Sequence, residues 1–170
     1  ADAGLQTFAL LTGLSFLGNG AAIVLTPLAH QRMTPSSWVV VCLLLGALSQ
    51  AVLVTSPAYG VVAAAAMILG LSVQGAKIAV DTIVQRDSDD SYRGRAFTLY
   101  DMLYNAGFVA AAALAAVVLP DTGWSRAVFA GLAMVYLVIA AIYRRGIRSV
   151  DDRPRPVLAG ERPSGTHTPE

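Results

Sequence analysis

Five apolar runs, separated by short charged or proline-bearing breaks, dictate how this chain can fold. They cover residues 5–29, 38–56, 60–84, 97–119 and 124–143. Each is about 19 to 25 residues long, and a hydrocarbon core about 30 Å thick is crossed by about 20 helical residues at 1.5 Å apiece. Lipid offers no partner to a backbone N–H or C=O, so a spanning segment must satisfy its own hydrogen bonds. The runs lack the two-residue alternation of a barrel strand, which leaves the α-helix. Composition agrees: 55% of the 170 residues are hydrophobic and only 14% are charged, against about 25% in a typical soluble domain. The mean hydropathy is +0.59. The expected fold class is an all-α integral membrane protein with five transmembrane helices, filling residues 1–148. From about residue 149 to 170 the composition turns to Asp, Arg, Pro, Ser and Thr, which predicts a disordered cytoplasmic tail.

The breaks carry turn chemistry. Thr34-Pro35-Ser36-Ser37 offers a helix cap, Ser56-Pro57 interrupts the chain, and Pro120-Asp121-Thr122-Gly123 separates the last two runs. Links this short predict antiparallel neighbours. Trp38, Tyr59, Trp124 and Tyr143 fall at run ends, where amphipathic rings favour the headgroup level.

Arginine placement predicts orientation. Arg32, Arg86, Arg93 and Arg95 lie in the breaks after the first and third runs, and Arg144, Arg145, Arg148, Arg153, Arg155 and Arg162 follow the fifth. All of these fall on one side, and Arg126 alone falls on the other. The positive-inside rule puts the C-terminus in the cytoplasm and Ala1 outside. The localisation expected is the cell membrane. The chain starts at Ala1 with no basic segment before the first run; no signal peptide is expected, and further residues are expected upstream.

Several common function classes find no support. The single cysteine, Cys42, has no partner for an internal disulfide. No His/Cys cluster has metal-ligand spacing, no nucleophile sits beside a base, and no glycine loop cradles phosphate. No enzyme, no cofactor and no metal are expected. The basic clusters sit at membrane edges, so nucleic acid is not an expected partner.

Polar residues inside the runs are the candidates for function. Gly70, Gln74, Lys77 and Asp81 are spaced by four, three and four, which puts them on one helix face. Lys77 is the only lysine. A charge in hydrocarbon costs a few kcal/mol or more and usually faces a bundle interior or aqueous path. Two readings stand side by side. Gln74, Lys77 and Asp81 line a substrate pathway as gating or coupling groups, or Lys77 snorkels to the nearby end and pairs locally with Asp81. Asp81 near a helix C-terminus meets the negative end of the dipole, so a second cation is expected beside it, drawn from Arg86, Arg93 and Arg95. In the fourth run Asp101 and Asn105 are four apart, flanked by Tyr100 and Tyr104; Asp101 reads as a cap-like acid or a gate charge. Asn19 and Gln50 read as interhelical hydrogen-bond partners or pathway residues. His30 is expected in a solvated loop. Gly13, Gly18, Gly20, Gly46, Gly107 and the run 110–113 of alanines suit close helix approach.

The stretch Asp90-Ser91-Tyr92-Arg93-Gly94-Arg95-Ala96-Phe97, followed by Asn105-Ala106-Gly107, resembles the loop between the tenth and eleventh helices of major facilitator superfamily transporters. Residues 26–33 resemble the loop between helices eight and nine, with His30 or Gln31 standing where the family has an acid. The resemblance implies that the five runs are helices eight to twelve, part of a twelve-helix protein of two halves. It implies a substrate site near the midplane, rocking of the halves, and coupling to a gradient such as protons. Arg93, Arg95 and Asp81 would join a cytoplasmic charge cluster with Arg86 and Asp101. The nearest likeness is to bacterial multidrug- or siderophore-exporter-like members. The expected function is therefore gradient-coupled export of a small molecule, by a protein of which this is a C-terminal part. The expected partners are the lipid bilayer, the N-terminal transporter helices, a small-molecule substrate and protons. The competing reading is a non-transporting membrane accessory or assembly subunit.

Overall fold

The computed structural model describes residues 2–88, 90–120 and 124–151. These form five helices: α1 (Asp2–His30), α2 (Pro35–Thr55), α3 (Tyr59–Asp87), α4 (Asp90–Val118) and α5 (Arg126–Asp151). All five contain a stretch long and apolar enough to cross a bilayer. The protein is a multi-span helical membrane bundle.

Local chemistry sets the joints. Thr34 caps α2: its hydroxyl accepts from the Ser37 N–H at 3.3 Å, and Pro35 takes the first helical position, where a missing N–H costs nothing. Between α2 and α3, Ser56 turns to extended backbone ahead of Pro57. Its hydroxyl accepts from the Ala58 N–H at 3.1 Å. The N–H of Ser88 closes α3 onto the Val84 carbonyl at 3.2 Å.

The helices run further than the apolar runs. The sequence leaves 85–96 as a loop, yet α3 continues to Asp87 and α4 starts at Asp90. Hydropathy marks only the lipid-buried length, whereas i→i−4 hydrogen bonding continues into headgroups and water. Arg93 and Arg95 therefore sit in the first turns of α4, not in a loop. Asp101 lies three turns inside α4, so it is not a cap. His30 is not in a solvated loop: it is the last residue of α1, half-buried. The segment 26–30, read as part of a loop, is helical, and Pro27 is carried inside α1.

The centre of the bundle is α3, which packs along both α1 and α2, while α2 also packs along α5. The contact between α1 and α3 is nearly backbone to backbone. Gly18 lies against the Met67 carbonyl and Gly70 against the Ser15 carbonyl, with no room for a Cβ at either. Between α2 and α3, Gly75 seats the Cys42 thiol and the Trp38 indole.

Polar groups bind these close-set helices. Ser49 donates to the Ala65 carbonyl at 2.8 Å and Ser72 to the Cys42 carbonyl at 2.7 Å. The Trp38 indole N–H donates to the Thr26 hydroxyl at 3.1 Å, inside the bundle. Trp38 is only 8% exposed and forms the core with Val39, Cys42 and Ala79. The expected headgroup position for Trp38 is thus corrected: Thr26 satisfies its polar tip in the interior. Without a hydrophobic drive between helices in lipid, small residues and such hydrogen bonds hold the bundle.

α4 differs. It touches the bundle lightly, chiefly through α3, and no described residue of its spanning stretch is buried.

Candidate functional site

The polar stripe of α3 diverges in its surroundings. At one end Gly70 is packed against α1, with the Asn19 side-chain oxygen close by. Gln74 is half-buried. Lys77 and Asp81 turn toward α4.

The ammonium of Lys77 lies 3.7 Å from an Asp81 carboxylate oxygen. It also sits 5.4 Å from the ring centre of Tyr100 and 5.3 Å from that of Tyr104. An ammonium within about 6 Å of an aromatic face is attracted by the ring quadrupole, by about 2 kcal/mol when desolvated. The two rings are themselves a tilted pair, 6.3 Å apart. The lysine is thus held on three sides by groups that stabilise its charge.

Helical register brings these groups together. Lys77 is ten residues before the end of α3, and Tyr100 is ten residues after the start of α4. The short link folds α4 back along α3, so both lie at one depth, about 15 Å from the link at 1.5 Å per residue. Tyr104 is one further turn along. Lys77 therefore does not snorkel: Asp81 and the tyrosines hold it three turns inside the helix. Lys77 and Asp81 keep 30% and 32% of their side-chain surface exposed. They border a cavity of about 380 Å³ completed by Phe97, Thr98, Tyr100 and Asp101.

The other expected residues are placed as follows. Arg86 is engaged by the neighbouring Asp87, at 2.7 and 3.1 Å, so its charge is taken by a different acid from Asp81. Arg93 donates to the Ser88 carbonyl at 3.4 Å, and Arg95 is exposed. The cation beside Asp81 is its own helix neighbour, Lys77. Asp101 joins the cavity wall, while Asn105 donates to the Asp101 carbonyl at 2.8 Å, bonding to its own helix. Gln50 is buried in α2 and its side-chain oxygen has no hydrogen-bond partner. It lies on a different helix from the Lys77 cluster.

Sequence reasoning placed Tyr100 and Tyr104 beside Asp101 but did not assign them to Lys77. The available signal was their spacing of four, which presents two rings on one face. Pairing that face with Lys77 required the register of the α3–α4 link.

A combination of one cation, one anion and two aromatic faces on an aqueous cavity offers binding and charge exchange. Among the described residues no group of three or more His, Cys, Asp or Glu could hold a metal ion.

Comparison with known proteins gives this arrangement its setting. The family model described as Major Facilitator Superfamily matches residues 2–168. An uncharacterized MFS-type transporter of Mycobacterium bovis is 32% identical over 127 residues, covering 72% of this chain and 28% of that protein. An uncharacterized MFS-type transporter of Mycobacterium tuberculosis matches with the same identity and coverage. The chain thus spans under a third of the length of these relatives. No solved structure matches it. Five apolar helices held by small residues, and a family match along almost the whole sequence, lead to one conclusion: this chain belongs to the major facilitator superfamily, a class of membrane transporters rather than enzymes.

Proposed function

We propose that this chain is part of a gradient-coupled secondary transporter, and that Lys77, Asp81, Tyr100 and Tyr104 face its substrate pathway. The observation that carries this reading is the Lys77 ammonium itself. It is held deep in an apolar helix by a carboxylate and two tyrosine faces, at the edge of a cavity. A charge so placed costs several kcal/mol unless it is paired or wetted, and a purely structural helix has no need of it.

In this reading Asp81 is the group that exchanges a proton. With Asp81 ionised, Lys77 is neutralised in place. With Asp81 protonated, the ammonium is left to the rings and the cavity, and an anionic or polar substrate group competes for it. Gln74 and Asp101 border the same path. Arg86, Arg93 and Arg95 stand at its cytoplasmic mouth and take up anionic contacts in one conformational state. Asn19, Gln50 and Asn105 contribute to helix association. The transport direction we favour is export of a small amphipathic molecule from the cytoplasm. The exposed length of α4 fits a surface covered by helices from the rest of a longer transporter.

The test uses the full-length protein in inverted membrane vesicles, with an imposed proton gradient and ethidium as the probe. Lys77→Ala and Asp81→Asn should each lower gradient-driven uptake at least tenfold while membrane insertion stays unchanged. Unchanged uptake in both variants, against an active parent, would return the pair to a structural role. A parent that moves no probe under any gradient would favour an assembly subunit.

A further inference from the structure

We propose that the groove between α2 and α5 is a binding site for one anionic glycerophospholipid. Its headgroup phosphate would meet Arg144, Arg145 and the first turn of α2. One acyl chain would lie along the groove toward the membrane interior. The inference stands apart from the transport reading and concerns a different face of the bundle.

The groove has a volume of about 320 Å³, walled by Val40 and Leu44 of α2 and by Leu137, Ala140 and Ala141 of α5. Arg144 and Arg145 close one end. Leu137, Ala140, Ala141 and Arg144 follow the i, i+3, i+4, i+7 pattern, so one stripe of α5 runs from apolar floor to cation. The alanines keep that floor low. A second hollow continues past Arg144, bordered by Ser37, Val40 and Ile147.

Charge complementarity selects the occupant. Arg144 and Arg145 are exposed, and neither forms an ion pair among the described residues. The nearest described acid along this end, Asp87, is already bound by Arg86. Ser37 lies in the first turn of α2, where the helix dipole favours an anion. A basic pocket between transmembrane helices at a headgroup-level end, continuous with an apolar trough, fits an anionic lipid. A soluble anion would use the arginines but leave the trough bare.

The test is retention of phosphatidylglycerol by the full 170-residue chain in detergent, read by native mass spectrometry against phosphatidylcholine with the same acyl chains. Phosphatidylglycerol should be retained more strongly. Arg144→Gln and Arg145→Gln should each weaken it about fivefold, bringing the double variant near phosphatidylcholine. Arg144→Lys should keep part of the preference. Ala141→Trp, at an exposed position, fills the trough and should lower retention of both lipids, with circular dichroism confirming an intact helical fold. Glycerophosphoglycerol, which has the headgroup without acyl chains, and inorganic phosphate should compete poorly. Equal retention of the two lipids, no response to the arginine variants, or unaltered binding in Ala141→Trp would each overturn the site. Strong competition by either soluble anion would overturn the lipid assignment.

Discussion

At the scale of single residues, the tightest constraint is where two helices meet without side chains between them. Gly18 and Gly70 hold α1 against α3 through backbone carbonyls. Gly70→Ala forces that contact open, and overpacking of this kind costs about 1–3 kcal/mol. Gly13 has nothing near its Cα, so Gly13→Ala should be neutral or slightly stabilising. Unfolding of the two variants in mixed detergent micelles should separate them. Cys42 makes a second residue-scale prediction. Its side chain is fully buried, so N-ethylmaleimide should leave it unmodified in the native bundle. A cysteine introduced at Val117, which is 85% exposed, should react readily in detergent. The sequence made the Lys77–Asp81 pair legible because both charges lie on one helix at a fixed spacing. It did not reveal the Trp38–Thr26 hydrogen bond, since burial of an indole depends on an acceptor supplied by another helix.

At the scale of elements, the existence of five helices was readable from apolar length alone, but their ends were not. Hydrogen bonding carries α3, α4 and α5 past the residues where hydropathy falls. The elements also differ in how firmly they are held. α2 is fixed on two sides by α3 and α5 and contributes seven buried residues, whereas α4 is held lightly. With few packed neighbours, α4 should open at lower free energy than α2. Hydrogen exchange on this chain in lipid nanodiscs should show faster backbone exchange across α4 than across α2. Tyr100→Leu with Tyr104→Leu should speed α4 exchange further, by removing two cation–π contacts worth about 0.5–2 kcal/mol each, and should leave α2 unchanged.

For the whole molecule, an odd number of crossings puts the two ends on opposite faces of the membrane. The arginine bias would place the C-terminus inside. A C-terminal green fluorescent protein fusion should therefore fluoresce in bacteria, and a C-terminal alkaline phosphatase fusion should be inactive; the reverse pattern would invert the topology. The hairpin of α3 and α4 has one more consequence. Because Lys77 and Tyr100 count ten residues from the same bend, their meeting is a matter of arithmetic along the chain. A single residue inserted at the bend advances α4 by 1.5 Å and swivels it by about 100°, carrying both phenol rings off the ammonium. The same insertion between α4 and α5 spares that encounter. Length variation should therefore be tolerated beyond α4 and punished in the bend before it.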